Sequence, residues 1–474
     1  MKGKSALPSQ KTDAPNLEHM NCKRFVITLS LLLQCWIFTT ANCVGTVVFE
    51  QGLEFHIDSI DARGAECSRL TNDTLQIVNI PDSVFWEGRA YPVISIGDSA
   101  FFFCHTVKKV VLPGTIESIG QYAFDLCSNL DTVIIPDNVS YIGPYAFKNC
   151  LRLKNVRIPS NVHVIETSVF YDCMSLEEIV IPEGVDTIRQ DAFAFCGIHS
   201  IHIPASVRSI GSTDRPVGNT DVFGSCENLT RITVDKRNPT FDSRGHCNAI
   251  IVTSCNALIS GCGNTRIPRT VEFIDQYAFC CRTNLKRVFI PKRTEEIVST
   301  AFWGCDNLKK IRVSKRNPKY DSRDNCNAII CSEYDEIRTA CRTTVIPASV
   351  SSIGWCAYPG YSWLSFLVLP DNITAIGESS FCGCKNLIAI SLPDNLEFIS
   401  GGAFNGCSAL EGVIIPNGVK KLYHKTFKGC TNLKFVSLPI GIEVSSDAFD
   451  GCDINEENIT YRRLDSSEQK FGYN

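Results

Sequence analysis

Apolar residues recur along this chain in one fixed order, Val-x-x-Ile-x-x-x-Ala-Phe-x-x-Cys-x-x-Leu-x-x-Val-x-Ile-Pro, with a period of 23 residues. Phe101, Phe124, Phe147, Phe170 and Phe193 are each followed three positions later by Cys104, Cys127, Cys150, Cys173 and Cys196. The prolines keep the same interval from Pro113 to Pro182. Pro204 comes one residue early, and the interval resumes at Pro268 and Pro291 and again from Pro347 to Pro439. A unit of about 20–30 residues is too small to bury its own apolar face, so such units stack into a solenoid.

The segment Leu-x-x-Val-x-Ile-Pro alternates apolar and polar positions and ends in a residue that cannot donate a ladder hydrogen bond. It predicts a short strand closed by a turn, once per coil. The return through Val, Ile and Ala-Phe-x-x-Cys fits an extended stretch followed by one tight helical or 3-10 turn. Stacking would align each Phe into an aromatic spine and each Leu, Val and Ile into internal columns, which accounts for the 44% hydrophobic content with a single core. Departures fall at Arg282, which stands where a ladder cysteine is expected, at IGWCAYPGYSW after Val350, which lacks the Ala-Phe pair, and at the polar insertion STDRPVGNTD after Ile210. These coils are expected to be distorted at the surface and to be candidates for specialised contacts.

The runs ESIGQYAFDLCSNLDTVIIPDNVSYIG and AIGESSFCGCKNLIAISLPDNLEFIS closely resemble the BspA-like class of leucine-rich repeats, over roughly Val93 to Cys452. Two inserts strengthen the likeness. VDKRNPTFDSRGHCNAII from Val234 and VSKRNPKYDSRDNCNAII from Val313 are similar to the family's extended repeat, and their turn residues predict a hairpin set into the coil. The resemblance implies a β-rich repeat solenoid of leucine-rich-repeat type. It further implies surface or secreted proteins of Bacteroides and relatives, and of some mucosal protozoa, that adhere to host extracellular matrix, host cells or other microbes. A structural protein of the envelope without a host ligand stays open as the second class.

The domain organisation follows. Residues 1–41 read as a secretory signal, with Lys23 and Arg24 before the apolar run Phe25 to Phe38 and Ala41 at the small-residue position; Met20 is a candidate true start. Residues 42–92 form a lead-in cap and 93–452 the solenoid, with extended repeats near 234–268 and 313–347. Residues 453–474 form a polar tail. Cys43 is a lesser candidate for a lipid anchor. The apolar run is short for a membrane span, and no other stretch is long enough. The chain is therefore expected to be secreted or at the cell surface, where the five sequons at Asn72, Asn138, Asn228, Asn372 and Asn458 would matter only in a eukaryotic secretory pathway.

Twenty-five cysteines in an exported chain raise disulfides. One Cys per coil beside Phe and Leu reads instead as a small buried apolar residue. The exceptions are Cys247 with Cys262 and Cys326 with Cys341, whose recurrence makes a bridge thinkable. No Cys-x-x-Cys pair, phosphate-binding glycine loop, Gly-x-Ser-x-Gly elbow or His-Glu-x-x-His helix is present, so neither an enzyme nor a bound cofactor or metal is expected. His199 and His202 read as surface histidines, and Asp321 and Asp324 lack the alternate acidic spacing of a calcium loop. The net charge of −4 and the shortness of every basic run argue against nucleic acid as a partner, and the Lys-Arg-Asn-Pro motifs at Lys236 and Lys315 read as solvated turns.

Binding then falls to the array. The positions between Leu, Val and Ile point outward and build an exposed stripe. Arg231, Arg287, Phe289, Lys310 and Arg312 mix basic and aromatic groups on that stripe and form the candidate interaction face for a protein or glycan ligand.

Overall fold

Two short strands in most coils, not one, emerge in the computed structural model, which describes residues 45–58, 63–211 and 221–462. The expected front strand is Leu-x-x-Val-x-Ile, as in Lys109–Val111, which pairs parallel with Thr132–Ile134. The return stretch supplies a second, rear strand of two or three residues: Ser118–Ile119 pairs with Tyr141–Ile142, and Val164–Ile165 with Thr187–Arg189. Parallel pairing holds each residue type in register with its counterpart one coil on, so Val110 faces Val133 and Ile119 faces Ile142. Among the described residues, 3-10 geometry appears in the return turn only at Ser299–Phe302.

Elsewhere the turn is built from two left-handed residues four apart, such as Tyr122 (φ 55°) with Leu126 (φ 63°) and Tyr145 (φ 60°) with Asn149 (φ 58°). Left-handed backbone re-aims the amides along the solenoid axis. The N–H of Phe124 donates to the Ala146 carbonyl at 2.7 Å and that of Leu126 to the Lys148 carbonyl at 2.9 Å, each in the next coil. The third side of the coil is thus hydrogen-bonded without being a strand, which satisfies the buried amides. Toward the C-terminus the second left-handed place is taken by Gly383, Gly406 and Gly429, for which this conformation is unstrained.

The aromatic spine is continuous from Phe101 through Phe124, Phe147, Phe170 and Phe193 to Phe223, with ring centroids 5.0–5.7 Å apart. It restarts at Phe279 and Phe302, and again from Tyr358 through Phe381, Phe404 and Phe427 to Phe449. The coil after Val350 therefore keeps the motif as Ala357 and Tyr358, both buried, so the expected loss of the pair there is corrected.

Both extended repeats insert the expected hairpin. Phe241–Asp242, Ala249–Val252 and Ala257–Gly261 run antiparallel, and the last joins the rear sheet. Tyr320–Asp321, Ile329–Cys331 and Glu336–Thr339 repeat the arrangement. Arg244 clasps the first hairpin through Asp242 and Asn256, and Arg323 clasps the second through Asp321 and Asp335. The first hairpin also corrects the expectation of a single core. Ile250 and Val252 pack into the N-terminal cluster, whereas Ala249 and Ile251 of the same strand pack into the C-terminal one. A strand buried on both faces acts as a partition.

The N-terminal end is closed by the antiparallel strands Gly45–Glu50, Leu53–Asp58 and Ala65–Leu70. Past Cys452, where a polar tail was expected to begin, Ile459–Arg462 adds a further front strand against Phe435–Pro439. The signal segment with Met20, Cys43, most of the insertion after Ile210, and residues 463–474 lie outside the described residues. No helix among the described residues is long and apolar enough to cross a membrane.

Candidate functional site

The front strands set the candidate face. In Arg287–Ile290, Val288 and Ile290 are buried while Arg287 and Phe289 are exposed, Phe289 by 54%. The neighbouring strand Lys310–Val313 is in register: Arg287 stands opposite Lys310, and Phe289 opposite Arg312. Four of the five candidate residues thus share one two-stranded patch. Arg312 is half-buried, its guanidinium donating to the Asn327 side chain at 2.7 Å and to the Ile311 carbonyl at 3.0 Å. Arg231 is exposed but belongs to the separate strand pair of Ser200–Ile203 with Arg231–Val234, on the other side of the first extended repeat. Coils on either side of that repeat still meet, because Asn284 Nδ2 donates to the Leu229 carbonyl at 3.4 Å.

Six further cations join this patch from the edges of the same strands. Lys286 and Lys309 precede the two strands, and Lys292 with Arg293 and Lys315 with Arg316 follow them; all six are exposed. Reading outward strand positions alone missed Lys286, Lys292, Arg293 and Lys309, and Lys315 with Arg316 read as part of a solvated turn. Their signal was the recurrence of Lys-Arg or Lys-Lys at the 23-residue interval. Among the described residues, Arg287, Lys310 and these six have no carboxylate within ion-pair distance. Some other surface cations are paired, as in Arg189 with Glu166 at 3.0 Å and Lys421 with Glu443 at 3.1 Å, while exposed Lys385 and Lys434 stand singly, without a like charge set opposite them by strand register. Apolar side chains also stand exposed on the front face, Ile134 and Val180 by 67% and 79% toward the N-terminus and Phe366 and Val368 by 68% and 75% toward the C-terminus.

One outward position does not hold: Ser437 is buried. Its strand is covered by the extra C-terminal strand, whose Arg462 reaches back to the Ile415 carbonyl. His202 is exposed and bonds Thr233 Oγ1 at 2.9 Å, and His199 is exposed just before the same strand. No three His, Cys, Asp or Glu side chains converge as a metal site among the described residues.

The cysteine ladder is a hydrogen-bonding device. In the regular coils after the first, Sγ–H donates to the carbonyl of the spine aromatic one coil back: Cys127 to Phe101 at 3.0 Å, Cys150 to Phe124 at 3.2 Å, Cys384 to Tyr358 at 3.1 Å, Cys407 to Phe381 at 3.2 Å. Burial pushes these thiols well above their ordinary range. All described cysteines are free thiols, including Cys247, Cys262, Cys326 and Cys341, for which a bridge was thinkable.

Arg282 is not a surface distortion, as its sequence position suggested, but is 1% exposed. Both extended repeats run a strand where the turn and its Phe would be, so the next coil meets Gly261 or Ala340 instead. Longer side chains stand at the ladder place in both coils. Arg282 Nε donates to Gly261 at 2.9 Å, and at the matching place after the second extended repeat the Tyr361 hydroxyl donates to Ala340 at 2.9 Å. Burial raises the carboxyl of Asp221 to about 8, against the lowering effect of Arg282 beside it.

Comparison with known proteins agrees with this architecture. The family model described as the BspA type leucine rich repeat region (6 copies) matches residues 94–213, 218–322, 254–350 and 351–469. The solved structure of the pneumococcal vaccine antigen PcpA is similar at 17% identity and a TM-score of 0.52, over 89% of this chain and 94% of that one. A leucine rich cell surface protein from Faecalibacterium prausnitzii A2-165 is similar at 23% identity and a TM-score of 0.43, over 88% and 94% of the two chains. A leucine-rich repeat protein from Bacteroides ovatus is similar at 20% identity and a TM-score of 0.32, over 89% and 98%. The curated proteins gave no match.

Proposed function

The chain belongs to the BspA-type leucine-rich repeat family, and from that premise we propose that it is an exported, non-enzymatic binding protein, displayed or released, that holds a protein or glycan ligand on its front face. The observation that carries this reading is the unpaired register of Arg287 with Lys310 beside exposed Phe289. Like charges directly opposite each other on adjacent strands are destabilising, so a face that keeps them uncompensated is better explained by a ligand than by folding. Arg312 serves as the rim of the face and Arg231 as its outlying contact. Adhesion to host matrix, host cells or other microbes is the role the family suggests, and the fold alone does not name the ligand.

The test is binding of the chain to a panel of extracellular-matrix proteins and glycans, with Arg287→Glu/Lys310→Glu as the paired variant. Loss of a specific ligand in that variant supports the reading; unchanged binding moves the site elsewhere. Protease shaving of intact producing cells decides between this role and an envelope scaffold. Repeat peptides released to the medium support display or secretion, and protection until the envelope is broken supports the scaffold.

A further inference from the structure

The whole chain carries a net charge of −4, yet residues 264–319 hold thirteen Lys or Arg against five Asp or Glu. The solenoid gathers eight of these cations into four matched pairs on consecutive coils: Lys286 with Lys309, Arg287 with Lys310, Lys292 with Lys315, and Arg293 with Arg316. Paired strands lie about 4.8 Å apart, and the strand Arg287–Ile290 spans on the order of 10–13 Å, with Lys286 before it and Lys292 and Arg293 in the turn after it. We propose that this band binds an acidic polysaccharide, its sulfate or carboxylate groups lying between the paired cations and Phe289 packing against the C–H face of a sugar ring. The proposal rests on the front-face reading above and names the ligand class for it.

Three features of the patch favour this class. Protein interfaces are depleted of lysine at their core and centre on buried aromatic anchors in pockets. Here lysines dominate, and Phe289 stands exposed on a nearly flat sheet. Duplex nucleic acid is read by a helix or ribbon that enters a groove, and single strands need a series of stacking aromatics. The hairpin beside these two strands is packed into the solenoid, with Tyr320 and Ile329–Cys331 buried, and Phe289 is the one exposed aromatic on the two strands. An extended, flexible polyanion with its charges on alternate faces needs only a shallow surface and several separated cations.

The experiment uses the full chain and heparin as probe, with dextran as the neutral glycan and an oligonucleotide as the other polyanion. Heparin should bind and weaken at least about tenfold between about 50 and 200 mM salt, because each neutralised contact releases counterions. Arg287→Glu/Lys310→Glu should weaken heparin at least tenfold. Lys385→Glu/Lys434→Glu, the same charge change at exposed positions elsewhere, should leave it unchanged. If the first variant misfolds, protection of Lys286, Lys292, Lys309 and Lys315 from acetylation by bound heparin reads the same contact in the unaltered chain.

No heparin binding, equal loss in both variants, or tighter binding of the oligonucleotide through the same residues overturns the proposal. A protein or dextran that binds and is lost in Arg287→Glu/Lys310→Glu, with heparin inert, overturns the ligand class and keeps the front-face reading. If nothing binds there, both fall.

Discussion

Arg282 Nε lies 2.9 Å from the carbonyl oxygen of Gly261, the bond that lets a regular coil stack on an extended repeat. The guanidinium also reaches the Cys226 carbonyl at 3.4 Å, one coil further back. Arg282→Cys would restore the residue found at this place in the regular coils, yet it should destabilise the chain by about 3 kcal/mol. The shorter side chain leaves the buried Gly261 and Cys226 carbonyls without their donor. Denaturant unfolding checks this, and an unchanged midpoint would show that water replaces the guanidinium at no cost.

Phe404 is fully buried between Phe381 at 5.3 Å and Phe427 at 5.1 Å. Phe404→Ala should cost about 3–5 kcal/mol through the cavity it opens. Lys310→Ala, on the exposed face, should change stability by less than about 0.5 kcal/mol. Equal harm in thermal melts would mean that inward and outward positions are wrongly assigned.

Gly429 has φ 72°, and a Cβ added there would meet only the Gly406 backbone at 3.7 Å, an ordinary contact. Gly429→Ala should therefore cost only the left-handed backbone, about 1–2 kcal/mol. A larger loss would point to a steric conflict in the stacked turns.

Burial raises the carboxyl of Asp125 from 3.8 to about 6, opposed by the Asn149 Nδ2 bond at 3.0 Å and the Lys148 charge. Below the unfolded pKa both states hold the proton and the contribution is fully present. Between pH 3.8 and about 6 the unfolded chain releases a proton that the folded chain keeps, so stability falls as pH rises and then levels. Relative to Asp125→Asn, the native chain should lose about 2 kcal/mol between pH 4 and 7. A difference that stays constant across that range would place the carboxylate in an ionised, well-solvated state.

The ladder thiols, buried and held in their protonated form, should resist iodoacetamide in the native chain at neutral pH, because the thiolate is the nucleophile. Cys255 is exposed and should react first. Cys281 should follow: it is half-buried, and the Cys280 thiol 3.7 Å away, with Ser225 and Arg282, holds it below the ordinary thiol range. Peptide mapping of the alkylated chain decides, and early labelling of Cys150 or Cys407 would contradict a closed ladder.

How far the sequence could be read depended on whether a feature was periodic. The interval of Phe, Cys, Leu and Pro was enough to infer the solenoid, the aromatic spine and the inward place of Val110 or Ile119, because a repeated unit has one way to bury its apolar face. The same alternation exposed Arg287, Phe289 and Lys310. It erred at Ser437, where burial comes from a neighbouring strand that breaks the period, and at Tyr358, whose ring fills the Phe place despite a different spelling.

Non-periodic neighbours belonged to the tertiary structure alone. Whether Arg282 faces solvent or the core depends on Gly261, twenty-one positions earlier, taking a place that a Phe holds elsewhere. That Ala249 and Ile251 serve one core and Ile250 and Val252 the other depends on an inserted strand buried on both faces. The convergence of Lys286, Lys292, Lys309 and Lys315 into one uncompensated band likewise needed the coil geometry. A linear pattern records which side chains repeat, while only stacking determines which charges become neighbours and whether a carboxylate comes within reach of them.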